Sequence, residues 1–110
     1  MKFDHVALIS EDIEASIAWY EDNVTDVITL YKDDTWALIN AAGQRIAFVS
    51  PNQHPAHICF LIEDSDAEDI KKRFPGKKFK KHRDGTSSFY TRDPDGNIIE
   101  YLIDQDDRQT

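Results

Sequence analysis

Hydrophobic and polar residues alternate along the first ten positions of the chain, and the pattern then changes to helical spacing. The alternation predicts a strand over 2–10, and the acidic pair Glu11-Asp12 then caps a helix. The apolar residues of this helix recur every three or four positions, and we expect it to end near Asn23. These residues are Ile13, Ile17 and Tyr20.

The rest of the chain continues as strands and then repeats the same order. Three β-rich stretches follow the helix, at 26–32, 36–40 and 45–50, and turn residues separate them. After the breaker at 51–55 the pattern predicts a strand at 56–62, a helix at 65–74, and strands at 78–82, 87–91 and 97–103. The sequence therefore predicts an α+β protein made of two βαβββ units.

Self-comparison indicates that one unit was duplicated. The segment that begins at His5 aligns with the segment that begins at His57, an offset of 57 − 5 = 52 positions. Each His stands near the start of a strand that leads into an acidic helix cap. Carried to the last strand, the same offset places Glu100 opposite Phe48, since 100 − 52 = 48. The first unit then has no carboxylate where the second has one.

These repeated histidines and the single acid form a candidate metal site. Glu100 stands between Ile98 and Leu102 on its face of the last strand, and an ionised carboxylate in an apolar row is costly unless a cation or strong donor meets it. Two imidazoles and one carboxylate suit a borderline divalent ion and leave positions open for substrate. We therefore predict that His5, His57 and Glu100 hold one metal ion. The same alternation puts Cys59 on the side of His57.

Composition narrows the class of protein. The net charge of −8 argues against nucleic-acid binding, which needs a clustered positive field. The single cysteine excludes an intramolecular disulfide, and the apolar stretches are shorter than the ~20 residues of a membrane span. Without a signal peptide at Met1, we expect a cytoplasmic protein. We expect one domain over 1–104, with units 1–50 and 54–103, and a tail at 105–110.

Three motifs resemble one known superfamily. They are the His-Val-Ala-Leu start at His5, the Ser-Ile-Ala-Trp-Tyr helix at 16–20, and Asp93-Pro94-Asp95-Gly96-Asn97 followed by Glu100. They are similar to the vicinal oxygen chelate proteins, which include glyoxalases, bleomycin-resistance proteins and extradiol dioxygenases. The resemblance implies a cupped mixed sheet with helices outside, one divalent metal (Mn, Zn, Ni or Fe), and a homodimer whose chains share the metal sites.

Within this superfamily the stretch 80–90 most resembles the fosfomycin-resistance thiol transferases. That likeness implies Lys80 and Tyr90 as catalytic residues and Ser88 as a substrate contact. Arg92 shares a strand face with Ser88 and Tyr90, so we add it to the substrate contacts, together with Cys59 and Phe48. Phe48 also stands where glyoxalase I enzymes typically carry a fourth ligand, Glu or Gln.

The expected activity follows from this resemblance. It is a metal-dependent lyase or thiol transferase in which the metal acts as Lewis acid on a small anionic, oxygenated substrate, with glutathione or another thiol as a candidate cosubstrate. Two alternatives remain open. One is a metal-free binding protein of the bleomycin-resistance kind, and the other is an Fe(II) extradiol-type dioxygenase.

Overall fold

The computed structural model describes residues 1–82 and 85–104. Within these residues two helices and eight strands follow one another in the predicted order, and the strands form a mixed sheet. The α+β class with two βαβββ units is therefore confirmed. The elements are β1 Lys2–Ile9, α1 Ile13–Asn23, β2 Val27–Lys32, β3 Trp36–Ala41, β4 Gln44–Val49, β5 His57–Leu61, α2 Asp64–Arg73, β6 Lys80–Lys81, β7 Thr86–Arg92 and β8 Ile98–Asp104.

Contacts divide the described residues into two compact units, and the first spans 5–58. Its strands follow the order β2-β3-β4-β1, in which β1 and β4 are parallel and the other pairs are antiparallel. Helix α1 begins after Asp12, whose side chain accepts a hydrogen bond from the Ala15 N–H at 3.1 Å. The helix packs on a buried apolar cluster of Ile13, Ile17, Ala37, Ile39, Ala41 and Phe48.

The second unit contains residues 1–4 and 59–104. The first residues of the chain belong here because the Met1 ammonium lies 3.3 Å from the Asp66 carboxylate and the Phe3 ring meets the Phe60 ring edge-on at 6.0 Å. The strands follow the order β5-β8-β7-β6. Helix α2 packs on a second apolar cluster of Ile62, Ala67, Ile70, Phe89 and Ile103.

The hairpin between β7 and β8 forms at the predicted turn. The Asp93 carboxylate accepts the backbone N–H groups of Asp95 and Asn97, and Gly96 has a φ of 87°. Residues with side chains rarely adopt that φ, so glycine is required there. The turn fixes the antiparallel register in which Tyr90 lies opposite Glu100.

One register detail corrects the comparison of the two units. The Ser10 N–H donates to the Val49 carbonyl, and the Ile62 N–H donates to the Leu102 carbonyl, each at 2.8 Å. The first strands of the units are 62 − 10 = 52 positions apart, but the last strands are 102 − 49 = 53 positions apart. The residue equivalent to Glu100 is therefore Ala47.

Phe48 was wrongly placed by that single position, because a one-residue shift along a strand moves a side chain to the opposite face. Its ring packs 5.2 Å from the Tyr20 ring of α1, in the core of the first unit. The prediction that Phe48 contacts substrate or fills a ligand position is corrected accordingly. Ala47, 4% exposed, occupies the ligand-equivalent position.

Three further points concern the C-terminal tail, the number of domains and the length of the helices. The predicted tail at 105–110 lies outside the described residues, and the single domain over 1–104 stays a prediction. Across the part of the chain that the structure describes, no helix is long and apolar enough to cross a membrane.

Candidate metal centre

The two repeated histidines meet in the structure. The His5 and His57 rings lie 5.6 Å apart between centroids, with an angle of 72° between their planes. Nδ1 of His57 lies 2.9 Å from the Pro55 carbonyl oxygen. Since a carbonyl oxygen only accepts hydrogen bonds, Nδ1 carries the proton and Nε2 keeps its lone pair. In metal sites, a histidine ligand usually donates a hydrogen bond from the ring nitrogen that does not bind the metal, and this bond orients the ring. The buried His57 fits that role.

Glu100 is buried on β8, with 6% of its surface exposed. Its neighbours along the hairpin show which way it faces. Phe89 and Ile103 pack against α2, so alternation places Ser88, Tyr90 and Glu100 on the opposite face of β7 and β8. Lys80 pairs with Ser88 in the β6–β7 ladder and therefore shares that side. We call this the site face; it carries Lys80, Ser88, Tyr90 and Glu100.

Tyr90 lies opposite Glu100 and interacts with it. Burial, and then the negative charge of Glu100, raises the pKa of Tyr90 well above its ordinary value of 10.0. Its hydrogen bond to Glu100 acts in the same direction. Tyr90 therefore keeps its proton at neutral pH, which suits it to donate hydrogen bonds and not to act as a base.

The candidate ligands come from both units, and each unit offers its own part. In the first unit, His5 and His57 offer imidazole nitrogens on neighbouring rings. In the second unit, Glu100 offers a buried carboxylate oxygen. Two nitrogens and one oxygen suit a borderline divalent ion.

The remaining predicted residues differ in what they do. Cys59 is fully buried at 0% exposure. Arg92 is exposed, and its guanidinium donates to the Gly96 carbonyl at 2.9 Å, so it helps to hold the turn. Lys80 is exposed on the short β6. Their predicted contacts with substrate stay predictions, as do those of Ser88 and Tyr90.

One further residue on this side, His82, is not among the predicted site residues. His82 is half-buried, and its Nε2 lies 2.7 Å from the hydroxyl oxygen of Ser88. The signal was present in the alternation, because His82 follows Lys80 by two positions and so falls on the same side. The register that brings His82 to Ser88 could not be read from the sequence.

Comparison with known proteins now identifies the family. The profile of the Glyoxalase/Bleomycin resistance protein/Dioxygenase superfamily matches residues 2–101. The chain belongs to this superfamily. This match confirms the resemblance that the motifs indicated. Members of the superfamily are often enzymes and typically bind a divalent metal. No curated protein sequence matches the chain significantly.

Several solved structures share the fold. A glyoxalase/bleomycin resistance protein/dioxygenase superfamily member from Vibrio splendidus 12B01 is 17% identical with a TM-score of 0.66, and the match covers 90% of this chain and 96% of that one. Methylmalonyl-CoA epimerase from Streptomyces coelicolor is 16% identical, with a TM-score of 0.60 and coverage of 94% and 96%. A Legionella pneumophila protein described as an NAD-dependent benzaldehyde dehydrogenase is 14% identical, with a TM-score of 0.67 and coverage of 90% and 96%. At these identities the likeness shows the fold alone.

Proposed function

We propose that this protein is a divalent-metal-dependent lyase or thiol transferase that acts on a small anionic, oxygenated substrate. In this proposal His5, His57 and Glu100 hold the metal. The observation that carries it is the close position of the His5 and His57 rings, 5.6 Å apart between centroids. His57 and Glu100 are both buried, and a buried carboxylate needs a cation or strong donors to offset its desolvation.

The donor set also fits a catalytic site better than a structural one. Structural zinc sites usually have four protein ligands, whereas catalytic sites keep a position open for water or substrate. Ala47, at the position equivalent to Glu100, offers no ligand atom. Lewis-acid stabilisation of negative charge on substrate oxygens is the chemistry that such a cation supplies when bound.

The chain's own residues have separate tasks in this proposal. Tyr90 donates a hydrogen bond from its phenol, because its raised pKa keeps the proton in place. Lys80 lies exposed at the edge of the site face and attracts an anionic substrate despite the negative charge of the whole protein. The fully buried Cys59 contributes to the wall of the site and not to its chemistry.

Metal content tests the proposal directly. Protein purified without chelator is expected to hold about one divalent ion per chain by elemental analysis. His57→Gln and Glu100→Gln should each lose most of it, because one ligand is gone. His54→Gln is the matched control, since His54 is an exposed histidine outside the set and its replacement should leave the metal content unchanged. Full metal content in both ligand variants would refute the proposed site.

A substrate panel tests the reaction class. The metal-supplemented protein is assayed with glutathione hemithioacetals, with epoxides plus glutathione, and with catechols under oxygen. Turnover of either of the first two classes supports a lyase or thiol transferase, whereas oxygen uptake with catechols assigns the protein to the dioxygenases instead. A folded protein that binds no metal and turns over none of these compounds would favour the alternative of a metal-free binding protein.

We propose in addition that the protein is a homodimer, as the superfamily resemblance implies. Light scattering coupled to size exclusion is expected to give twice the chain mass of 12.7 kDa. Sharing of ligands between chains is measured by mixing His5→Gln with Glu100→Gln under conditions of subunit exchange. Recovery of metal binding in the mixture shows sharing, and a monomeric mass would contradict the proposed dimer.

A further inference from the structure

His82 and Ser88 form a hydrogen-bonded pair that the proposed metal site does not use. Nε2 of His82 lies 2.7 Å from Oγ of Ser88, and Ser88 is among the most deeply buried side chains, at 2% exposure. A buried hydroxyl requires a partner, and an imidazole supplies one. The His82 ring is only half-buried, so part of it stays accessible. The pair therefore links the buried hydroxyl of Ser88 to an imidazole that is partly accessible to solvent.

The imidazole is not needed to close the β6–β7 turn. Backbone bonds already do this, since the His82 N–H donates to the Thr86 carbonyl at 2.7 Å and the Gly85 N–H donates to the His82 carbonyl at 3.2 Å. A turn held by its backbone would accept many side chains at position 82. The bond to Ser88 instead sets the direction of a titratable ring on the site face.

The position of the pair relative to Glu100 follows from the ladder. Ser88 and Tyr90 are two residues apart on one strand, a distance of about 7 Å, and Tyr90 lies directly opposite Glu100. A substrate of a few heavy atoms that is bound beside Glu100 would therefore extend to His82. Two carboxylates of β8 lie on this face, Glu100 and Asp104, and Asp104 lies opposite Thr86. Glu100 is assigned to the metal, and an imidazole is the side chain best suited to take up and release a proton near neutral pH.

We propose that His82 is the proton-transfer residue of this site and that Ser88 is the positioning residue that holds its ring. The inference rests on the function proposed above and adds the acid–base group that it lacks. In the tautomer in which Nε2–H donates to the Ser88 hydroxyl, Nδ1 keeps a lone pair. A C–H or O–H bond of the substrate breaks, the proton forms the Nδ1–H bond, and the electron pair stays on the substrate. The same Nδ1–H later returns the proton to the product.

The first test combines kinetics with chemical rescue. For the panel compound that the wild type turns over fastest, His82→Ala is expected to lower kcat by roughly 10²- to 10⁴-fold while the metal content stays at the wild-type level. Added imidazole should restore part of the kcat of His82→Ala, but not of His57→Gln. The matched control His54→Ala should behave as the wild type does. Unchanged kcat in His82→Ala would overturn the role of His82 and leave the metal proposal intact.

The second test needs no substrate. In ¹⁵N-labelled protein, His82 is expected to show a single tautomer with the proton on Nε2, and Ser88→Ala should release it to a mixture of tautomers. A ring that averages between tautomers in the wild type, or one that Ser88→Ala does not change, would contradict the positioning role. Because this measurement is independent of turnover, it decides on the pair even where the substrate panel fails.

Discussion

Ala47 lies directly beside Ala7 in the parallel β1–β4 pair, and their side chains are 4% and 1% exposed. Ala7 follows His5 by two positions and so shares its face. Two methyl groups therefore fill the region next to His5. In the second unit the position equivalent to Ala47 holds Glu100, so Ala47 is the position at which the proposed centre could receive a fourth ligand.

Ala47→Glu is therefore expected to add a fourth ligand to the proposed centre. The new carboxylate should be destabilising without metal, because it would be buried without compensation, and should be offset by metal binding. We expect a lower Tm in the chelator-treated protein, a larger rise in Tm on adding metal than in the wild type, and slower turnover because an open position is filled. Competition with a chromophoric chelator gives the metal affinity.

Ala37→Glu is the matched control, since Ala37 is a fully buried alanine in the apolar cluster beneath α1. Its carboxylate has no ligand to meet, so it should lower Tm whether or not metal is present. If metal failed to recover the Tm of Ala47→Glu, or recovered both variants equally, Ala47 would be rejected as a fourth-ligand position of the proposed centre.

Ala47 shows which part of the site could not be predicted from the sequence. The repeat at His5 and His57 could be found because both strands begin alike, but the offset of 52 ignored one extra residue later in the second unit. The extra residue follows from Ser10 to Val49 being 39 positions apart and Ile62 to Leu102 being 40 positions apart. The pattern of apolar residues does not reveal a shift of one position between the two units. In a strand, such a shift places the aligned side chain on the opposite face of the sheet.

The helices and strands could be predicted because short sequence patterns matched the side chains that are buried in the structure. The alternation of β1, the acidic cap of α1 and the Asp93 turn all have their cause within a few residues. The His82–Ser88 pair has no such local cause, because it depends on the register of a two-residue strand, β6. The register of β6 depends on its pairing with β7, and it could not be predicted from a single sequence.

Helix capping gives a second prediction, for Asp12→Ala. The Asp12 carboxylate accepts the N–H of Ala15, which would otherwise lack a partner within the helix. Its removal is expected to lower the free energy of unfolding by about 1 kcal/mol, measured by urea denaturation. Glu11→Ala next to it is the control and should change the stability by less than about 0.5 kcal/mol. Equal losses in the two variants would indicate a charge effect in place of a cap.

The apolar cluster beneath α1 gives a third prediction, for Ile39→Ala. Ile39 is 0% exposed and packs within that cluster, so truncation leaves a cavity. The expected loss is about 2–5 kcal/mol in the free energy of unfolding. Ile28→Ala is the matched control, because Ile28 is 62% exposed and its removal should cost little. A loss of comparable size at Ile28 would mean that another surface covers β2 in solution.

The turn before β3 gives a prediction about acid stability. The Asp33 carboxylate accepts hydrogen bonds from the Tyr31 hydroxyl and from the backbone N–H groups of Thr35 and Trp36. These bonds, the one from Tyr31 first, lower the pKa of Asp33 from 3.8 to about 2. Because the folded pKa lies below the unfolded one, the stabilisation is present above pH 3.8 and is lost as the pH falls through about 2.

Asp33→Asn isolates this contribution, since its amide oxygen can still accept hydrogen bonds but carries no charge. We expect the variant to be less stable than the wild type at pH 6, and the difference in urea midpoint to shrink steadily as the pH falls from 3.8 towards 2. Asp34→Asn, at the exposed neighbouring position, should match the wild type throughout. A difference at Asp33 that stays constant over this range would show that its hydrogen bonds do not depend on the charge of the carboxylate.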